Sequence, residues 1–280
     1  MSTTLNLIGA GHVGRALSRL FHTRGVFAVQ DVLTRAPAHA REAVAFIGAG
    51  HAVDAMGAMR PAAVWMLAVA DDQIGAVAEA LASSGRADGA IVFHCSGAKA
   101  STVLAPLAAR GARVASVHPI RSFADPEAVA KAFEGTFCGV EGDADALALL
   151  LPAFTDIGAR PVAIDANAKT VYHAASVFAS NYLVTVLDAA LRAYEAAGIP
   201  PEVARELARP LAGETLVNVL RLGPERALSG PIARGDAATV ACQQAAVNAW
   251  DAPTGKLYEA LAAATWDLAA RKKITNGDGR

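Results

Sequence analysis

The sequence predicts an α/β fold: a doubly wound parallel sheet over residues 1–165, an all-helical domain over residues 166–274, and a short disordered tail, 275–280. Three observations predict it. A glycine turn, Gly9-Ala10-Gly11-His12-Val13-Gly14, sits between an apolar run (Leu5 to Ile8) and a segment with helical spacing at Leu17 and Leu20. Short apolar runs then alternate with helix-like segments, the pattern of a parallel sheet with helical crossovers. After about residue 165 no convincing strand remains, and alanine-rich helical segments take over.

The turn comes first in the chain, and each glycine has a physical task. Gly9 permits the tight turn, Gly11 leaves the backbone open to a pyrophosphate, and Gly14 lets the helix pack close to the strand. The unpaired N–H groups at the helix start would hold the phosphates. With Ala10, His12 and Val13 completing the turn, this is the dinucleotide-binding fingerprint of a Rossmann domain, in its required setting between strand and helix. A second glycine cluster, Gly48-Ala49-Gly50, lacks the third glycine and a following amphipathic helix, and reads as a loop. The second strand, about Val26 to Leu33, ends in Thr34 and Arg35. NAD-binding domains often carry an acid there for the ribose 2′-OH. A hydroxyl and a guanidinium suit a 2′-phosphate instead, so Thr34 and Arg35 favour NADP. Asp31, inside the strand, is the competing acid.

A helix over His39 to Ile47 and a buried strand over Ala63 to Val69 follow. That strand ends in Ala70-Asp71-Asp72; the aspartates read as a helix N-cap, and the backbone at Val69 and Ala70 would pass beside the nicotinamide ribose. The strand Ala90 to His94 leads into Cys95-Ser96-Gly97-Ala98, where Ser96 either caps a helix beginning near Lys99 or contacts cofactor or substrate. His94, within the strand, reads as a satisfied core residue. The strand Arg113 to Val117 ends in His118, the first candidate for proton chemistry; its alternative is a structural histidine bonded to a carbonyl. Two short strands, Thr136 to Val140 and Pro161 to Ile164, flank a helix over Asp143 to Ile157.

The helical half opens with Ala166 to Ala197. On a helical wheel Lys169, His173, Ser176, Ser180 and Asn181 fall within roughly 140° of an otherwise apolar segment. Such a stripe faces a cleft, with His173 and Asn181 as catalytic candidates beside His118 and Ser96, or it faces solvent with hydroxyls bonding back to the helix. In the linker LSGPIARGD, Asp236 caps the next helix and Arg234 is either a surface residue or a contact for an acidic group. His22, His39 and His51 read as structural or solvated, as does the side chain of His12.

Composition narrows the partners. The chain has 280 residues, 54% hydrophobic and 18% charged, with net charge −1, which argues against nucleic acid or an anionic membrane surface. Cys95, Cys138 and Cys242 are far apart, which implies neither a metal site nor a disulfide framework and fits a reducing cytoplasm. The apolar run near Pro61 to Ala70 is too short for a bilayer, and no basic leader precedes the first strand.

In sequence order the pieces GAGHVG, SGA, HPIRSF, YHAASVFASNYLV and GPIARGD resemble the Rossmann-like proteins that carry a DUF2520 domain. The resemblance spans nearly the whole chain. It implies an NADP-binding N-terminal domain, a helical C-terminal domain that forms a homodimer, and an architecture like that of pyrroline-5-carboxylate reductase, F420-dependent NADP reductase and the 6-phosphogluconate dehydrogenase-like proteins. Hydroxyacid dehydrogenases of that architecture carry Lys and Asn one helical turn apart. Asn181 matches the Asn, but Val177 stands where the Lys would be. His118-Pro119 is also similar to the His-Pro of prephenate dehydrogenases, though the C-terminal half does not continue that match. The expectation is an NADPH-dependent oxidoreductase acting on a small carbonyl or imine compound. The alternatives are a non-catalytic NADP-binding regulatory or scaffold protein, or a dehydrogenase of a prephenate-like acid held by Arg121 or Arg234.

Overall fold

A computed structural model describes residues 3–277. Its strands are β1 (Thr4–Ile8), β2 (Ala28–Leu33), β3 (His51–Val53), β4 (Val64–Leu67), β5 (Ile91–His94), β6 (Arg113–Pro119), β7 (Phe137–Gly142) and β8 (Arg160–Ala163). They form one 8-stranded sheet in the order β3-β2-β1-β4-β5-β6-β7-β8. The sheet helices are α1 (His12–Thr23), α2 (Pro37–Ile47), α3 (Ile74–Ser84), α4 (Ala105–Ala108), α5 (Pro126–Lys131) and α6 (Ala144–Asp156). One face of the sheet packs Leu17, Phe21, Ile47, Leu150 and Phe154; the other packs Trp65, Ile74, Leu81 and Leu107. Burial on both faces is why β4 reads as a continuous apolar run. Strand order reverses between β1 and β4, the switch point where α/β sheets open a crevice for ligands.

The sheet differs from the expectation in two respects. β3 is an eighth strand, pairing Asp31 with His51 and Leu33 with Val53. It is short and largely exposed, so no apolar run announced it. β7 runs antiparallel to β6, with His118 opposite Gly139, so the sheet is parallel-dominant rather than wholly parallel. A third correction concerns Asp71 and Asp72, which cap no helix: they begin a 3-10 turn (Asp71–Gln73), and neither that turn nor α3 has a side-chain cap.

The long helix is divided. A 3-10 turn (Ala166–Ala168) leads into α7 (Lys169–Val177), a π turn (Phe178–Tyr182) interrupts it, and α8 (Leu183–Ala196) continues. The chain forms two compact units that part within the π turn, after Ser180, because the first turns of α7 pack with the sheet. The second unit holds α8, α9 (Pro201–Leu222), α10 (Pro224–Ala227), α11 (Gly230–Arg234), α12 (Ala237–Trp250) and α13 (Ala252–Gly277). Asp236 caps α12 as expected, accepting from the Thr239 N–H at 3.0 Å. α13 continues to Gly277, so residues 275–277 of the expected tail are helical; 278–280 lie outside the described residues. The stretch Ala166–Ala196, with a window of mean hydropathy 1.4 that is not buried within the chain, is long and apolar enough by composition to cross a membrane. The apolar run at 61–70 is shorter than this stretch and lies in the sheet, at β4.

Candidate functional site

The glycine turn closes over the C-terminal ends of β1 and β2. Gly9 has φ +85°, and its N–H donates to the Leu33 carbonyl at 2.8 Å, binding the turn to the end of β2. A Cβ at Gly9 would sit 2.6 Å from both the Ala68 oxygen and Val69 Cγ1; one at Gly14 would sit 2.6 Å from the Gly9 oxygen. A Cβ at Gly11 would meet nothing within 4 Å. So two glycines are required by close packing and the third borders open space, the arrangement a pyrophosphate needs. Gly11 precedes α1 without a side-chain cap, and the first turn of α1 carries no acid, which leaves its N–H groups available to an anion. His12 is held beside the turn, its ring N–H donating to the Phe123 carbonyl at 2.6 Å. Val69 touches Gly9, and Ala70 follows it at the end of β4. The residues present fit a dinucleotide.

At the end of β2 Arg35 is exposed, while Thr34 donates its hydroxyl to the Ala36 carbonyl at 2.7 Å. Asp31 is not available to a ribose. It is 1% exposed, and Arg60 engages both its oxygens, Nη2 at 2.6 Å and backbone N–H at 2.7 Å. Burial raises the Asp31 pKa, but the hydrogen bonds and charge of Arg60 outweigh it and hold the carboxyl below its usual value.

The second constellation lies along β5, β6 and α7. His118, near the end of β6, faces Tyr172 and His173 of α7; its ring centroid is 5.6 Å from the first and 5.7 Å from the second, both edge-on. Gly97 lies beneath them: a Cβ there would meet His173 Cδ2 and come within 2.8 Å of His118 Nε2. Gly139 opposite His118 similarly admits Tyr172, whose Cζ would be 2.7 Å from an added Cβ. His118 Nδ1 is 2.8 Å from the Tyr172 oxygen. Burial pushes Tyr172 up to about 12, although the Gly139 N–H donates to its oxygen, so the phenol keeps its proton. With the phenol protonated, its O–H can donate to Nδ1, the arrangement that places the His118 proton on Nε2, next to Gly97. Burial also pushes His118 down to about 4, with His173 and the Lys169 charge acting in the same direction. At neutral pH His118 is a neutral imidazole with one ring N–H.

The other expected site residues have contacts of their own. Ser96 is buried; its oxygen accepts the Ala98 and Lys99 N–H groups at 3.2 and 3.0 Å, so it caps the Gly97 turn rather than a helix. No helix starts at Lys99: a 3-10 turn begins at Ser101. His94 is the core residue expected, accepting from the Ser96 N–H and donating to the Ala100 carbonyl, both at 3.2 Å, with burial pushing it down to about 4. Arg121 is held by the Ala132 carbonyl and by Thr136. Ser180 bonds back to the Ser176 carbonyl at 2.9 Å. Asn181 and Arg234 are exposed residues of the second unit. Lys169 turns inward and meets Glu141 and Ser116. Sequence reasoning passed over Tyr172, Gly97, Gly139 and Glu141. The one available signal was the spacing of Lys169, Tyr172 and His173 at i, i+3 and i+4, which puts all three on one helix face.

Two family models divide this sequence. Residues 2–119 match the Rossmann-like domain, and residues 136–265 match the domain of unknown function DUF2520. The chain joins a Rossmann-like domain to a DUF2520 domain. No curated protein matches it. Among solved structures it is similar to BF3122 from Bacteroides fragilis, provisionally named an NADP oxidoreductase, at 20% identity and TM-score 0.77 over 95% of this chain and 98% of that one. Protein TM1727 from Thermotoga maritima aligns at 24% identity and TM-score 0.74, covering 96% and 100%. An imine reductase from Myxococcus stipitatus, solved with NADP+, aligns at 17% identity and TM-score 0.64, covering 99% and 96%. At these identities the likeness is one of fold.

Proposed function

We propose that this Rossmann-like/DUF2520 protein is an NADP-dependent oxidoreductase, with NADPH reducing a small carbonyl or imine compound. The observation that carries the reading is the presence, at the same end of the parallel strands, of a glycine cradle shaped for a pyrophosphate and a neutral imidazole bordered by Gly97. The ends of β1 and β6 are three strand spacings apart, about 14 Å. That separation suits a dinucleotide lying across β1 and β4 with its reactive end toward β5 and β6. The nicotinamide would supply hydride; the protein supplies position and electrostatics. Gly9, Gly11 and Gly14, with the first turn of α1, would hold the diphosphate, and Arg35 the 2′-phosphate. His118 Nε2–H would donate to the substrate oxygen or nitrogen, and His173, bordering the same glycine, would bring the second imidazole. The Ser96 turn completes the proposed substrate contacts.

The test is NADPH consumption by the wild-type chain across a panel of small ketones, aldehydes and cyclic imines. Turnover that His118→Ala removes supports the reading. NADPH binding without turnover of any compound favours instead the non-catalytic nucleotide-binding reading, for which the engagement of Lys169 by Glu141 is the motivating observation. Arg35→Ala should weaken NADPH binding about tenfold or more and leave NADH within about twofold, measured by fluorescence titration; equal effects on both would remove Arg35 from the phosphate site.

The reading also has two copies meeting through the helical unit. Val184, Leu211, Val217 and Leu220 are 61–79% exposed, a large apolar area for helices of a single chain. Light scattering should give twice the chain mass without detergent. A monodisperse monomer, or a chain that requires detergent, would contradict this and reopen the membrane question for Ala166–Ala196. Free thiols at Cys95, Cys138 and Cys242 suit a reducing cytoplasm.

A further inference from the structure

Beneath the imidazoles lies a charged cluster that the proposed chemistry does not use. Lys169 is 1% exposed and Glu141 7%. Lys169 Nζ meets Glu141 Oε1 at 3.3 Å and also contacts Ser116 Oγ. Both carboxylate oxygens of Glu141 are engaged further: Oε1 accepts the Ser101 N–H at 2.8 Å and Oε2 the Ser101 hydroxyl at 2.6 Å. Ser116 in turn donates to the Ser96 carbonyl at 3.4 Å. The cluster thus joins the start of α7 to β6, β7, the Ser101 turn and the peptide that precedes Gly97.

A buried ion pair is a poor source of stability, since well-packed apolar residues of like volume commonly do as well or better. What this one does geometrically is specific. Tyr172 and His173 lie three and four residues past Lys169, on the same face of α7. Fixing Lys169 fixes the rotation and height of that face. Through Ser116 the same ammonium also fixes the carbonyl of Ser96, and so the Gly97 backbone beneath both rings.

We infer that Lys169 and Glu141 are positioning residues of the imidazole site: their buried pair sets α7 and the Ser96-Gly97 turn in the one register that brings Tyr172 and His173 onto His118. This rests on the proposed role of His118 and extends it to residues that touch neither substrate nor cofactor. The groups facing His118 are Tyr172, His173 and Lys169 of α7 and Asp71 after β4; around these, His94, Cys95 and Glu141 face Lys169, and Cys138 of β7 faces Tyr172. Lys169 is itself depressed by burial, against the pull of Glu141, and its charge is one of the influences that keep His118 neutral.

The experiment is imidazole nitrogen NMR of the full chain across about pH 5 to 8, with and without saturating NADPH. The wild type should show His118 as one tautomer, Nε2–H, that does not titrate in this window. The double variant Lys169→Met/Glu141→Gln removes both charges and leaves Ser101 an acceptor. It should keep its melting temperature and bind NADPH within about twofold, while His118 shows mixed tautomers and titrates inside the window. Ser116→Ala, which removes only the hydroxyl link, should move His118 in the same direction by less. A folded double variant, or a folded Ser116→Ala chain, with an unchanged His118 spectrum would overturn the inference. The readout needs no substrate, so an inactive wild type would defeat the oxidoreductase reading and leave this result standing.

Discussion

Gly9→Ala should abolish dinucleotide binding and lower the stability of the chain, by about 3 kcal/mol or more. Two costs coincide at this residue. Its φ of +85° lies in the left-handed region, unfavourable for alanine by about 1–2 kcal/mol. The new methyl would also sit 2.6 Å from the Ala68 oxygen and Val69 Cγ1. The Ala68 oxygen is backbone, and the Ala68 N–H is bonded to Ile8 at 2.8 Å, so it cannot yield without disturbing the sheet. Gly11→Ala is the informative control. Gly11 has φ −69° and an added Cβ would meet nothing within 4 Å, so alanine fits the unliganded chain and the melting temperature should hold. Its methyl would occupy the space a pyrophosphate needs, so affinity should fall as it does for Gly9→Ala. A Gly11→Ala chain that binds NADPH normally would mean that phosphates do not approach this turn. Melting curves and nucleotide titrations on the two variants are sufficient.

His118→Asn should lower turnover by about 10²- to 10⁴-fold, with NADPH affinity unchanged, because only the group donating to the reacting atom is lost. The sign of the pH dependence follows from the protonation state. With His118 pushed down to about 4, the imidazole is neutral throughout the working range, and its ring N–H is present at every such pH. The rate assigned to it should be flat between about pH 5 and pH 8. An imidazolium acid at an ordinary histidine value would instead lose activity as pH rose through about 6.5. Tyr172→Phe should cost about tenfold, since losing the phenolic proton frees Nδ1 to compete for the imidazole hydrogen. A steep loss of rate above about pH 6.5 in the wild type would replace the neutral donor with a charged one.

The fold was legible where local chemistry determines it. The glycine turn, the apolar runs of β1 and β4 and the cap at Asp236 are short-range features, and the structure has them where the sequence puts them. What was not legible depends on distant partners. Asp31 is a plausible ribose acid by spacing alone; only the return of the chain at Arg60 removes it. β3 lacks an apolar run because it is an exposed edge strand, and the reversal of β7 against β6 is a matter of pairing that no local pattern records. The same holds for the candidate site. His118 was found because it ends an apolar strand, and His173 because a polar residue on an apolar helix needs a partner. Tyr172 passed as one more apolar side chain, since its oxygen acquires a purpose only opposite His118 and Gly139. Lys169 stood out on the helix, but its partner Glu141 sits on β7, and no spacing rule joins the two.

The most direct measurement is a fluorescence titration of the purified wild-type chain with NADPH and, separately, with NADH. Micromolar NADPH binding with much weaker NADH binding is the predicted result, from the open space at Gly11 and the cation at Arg35. Binding of neither nucleotide would contradict the assignment of the glycine turn as a dinucleotide site and remove the basis for placing hydride chemistry beside His118.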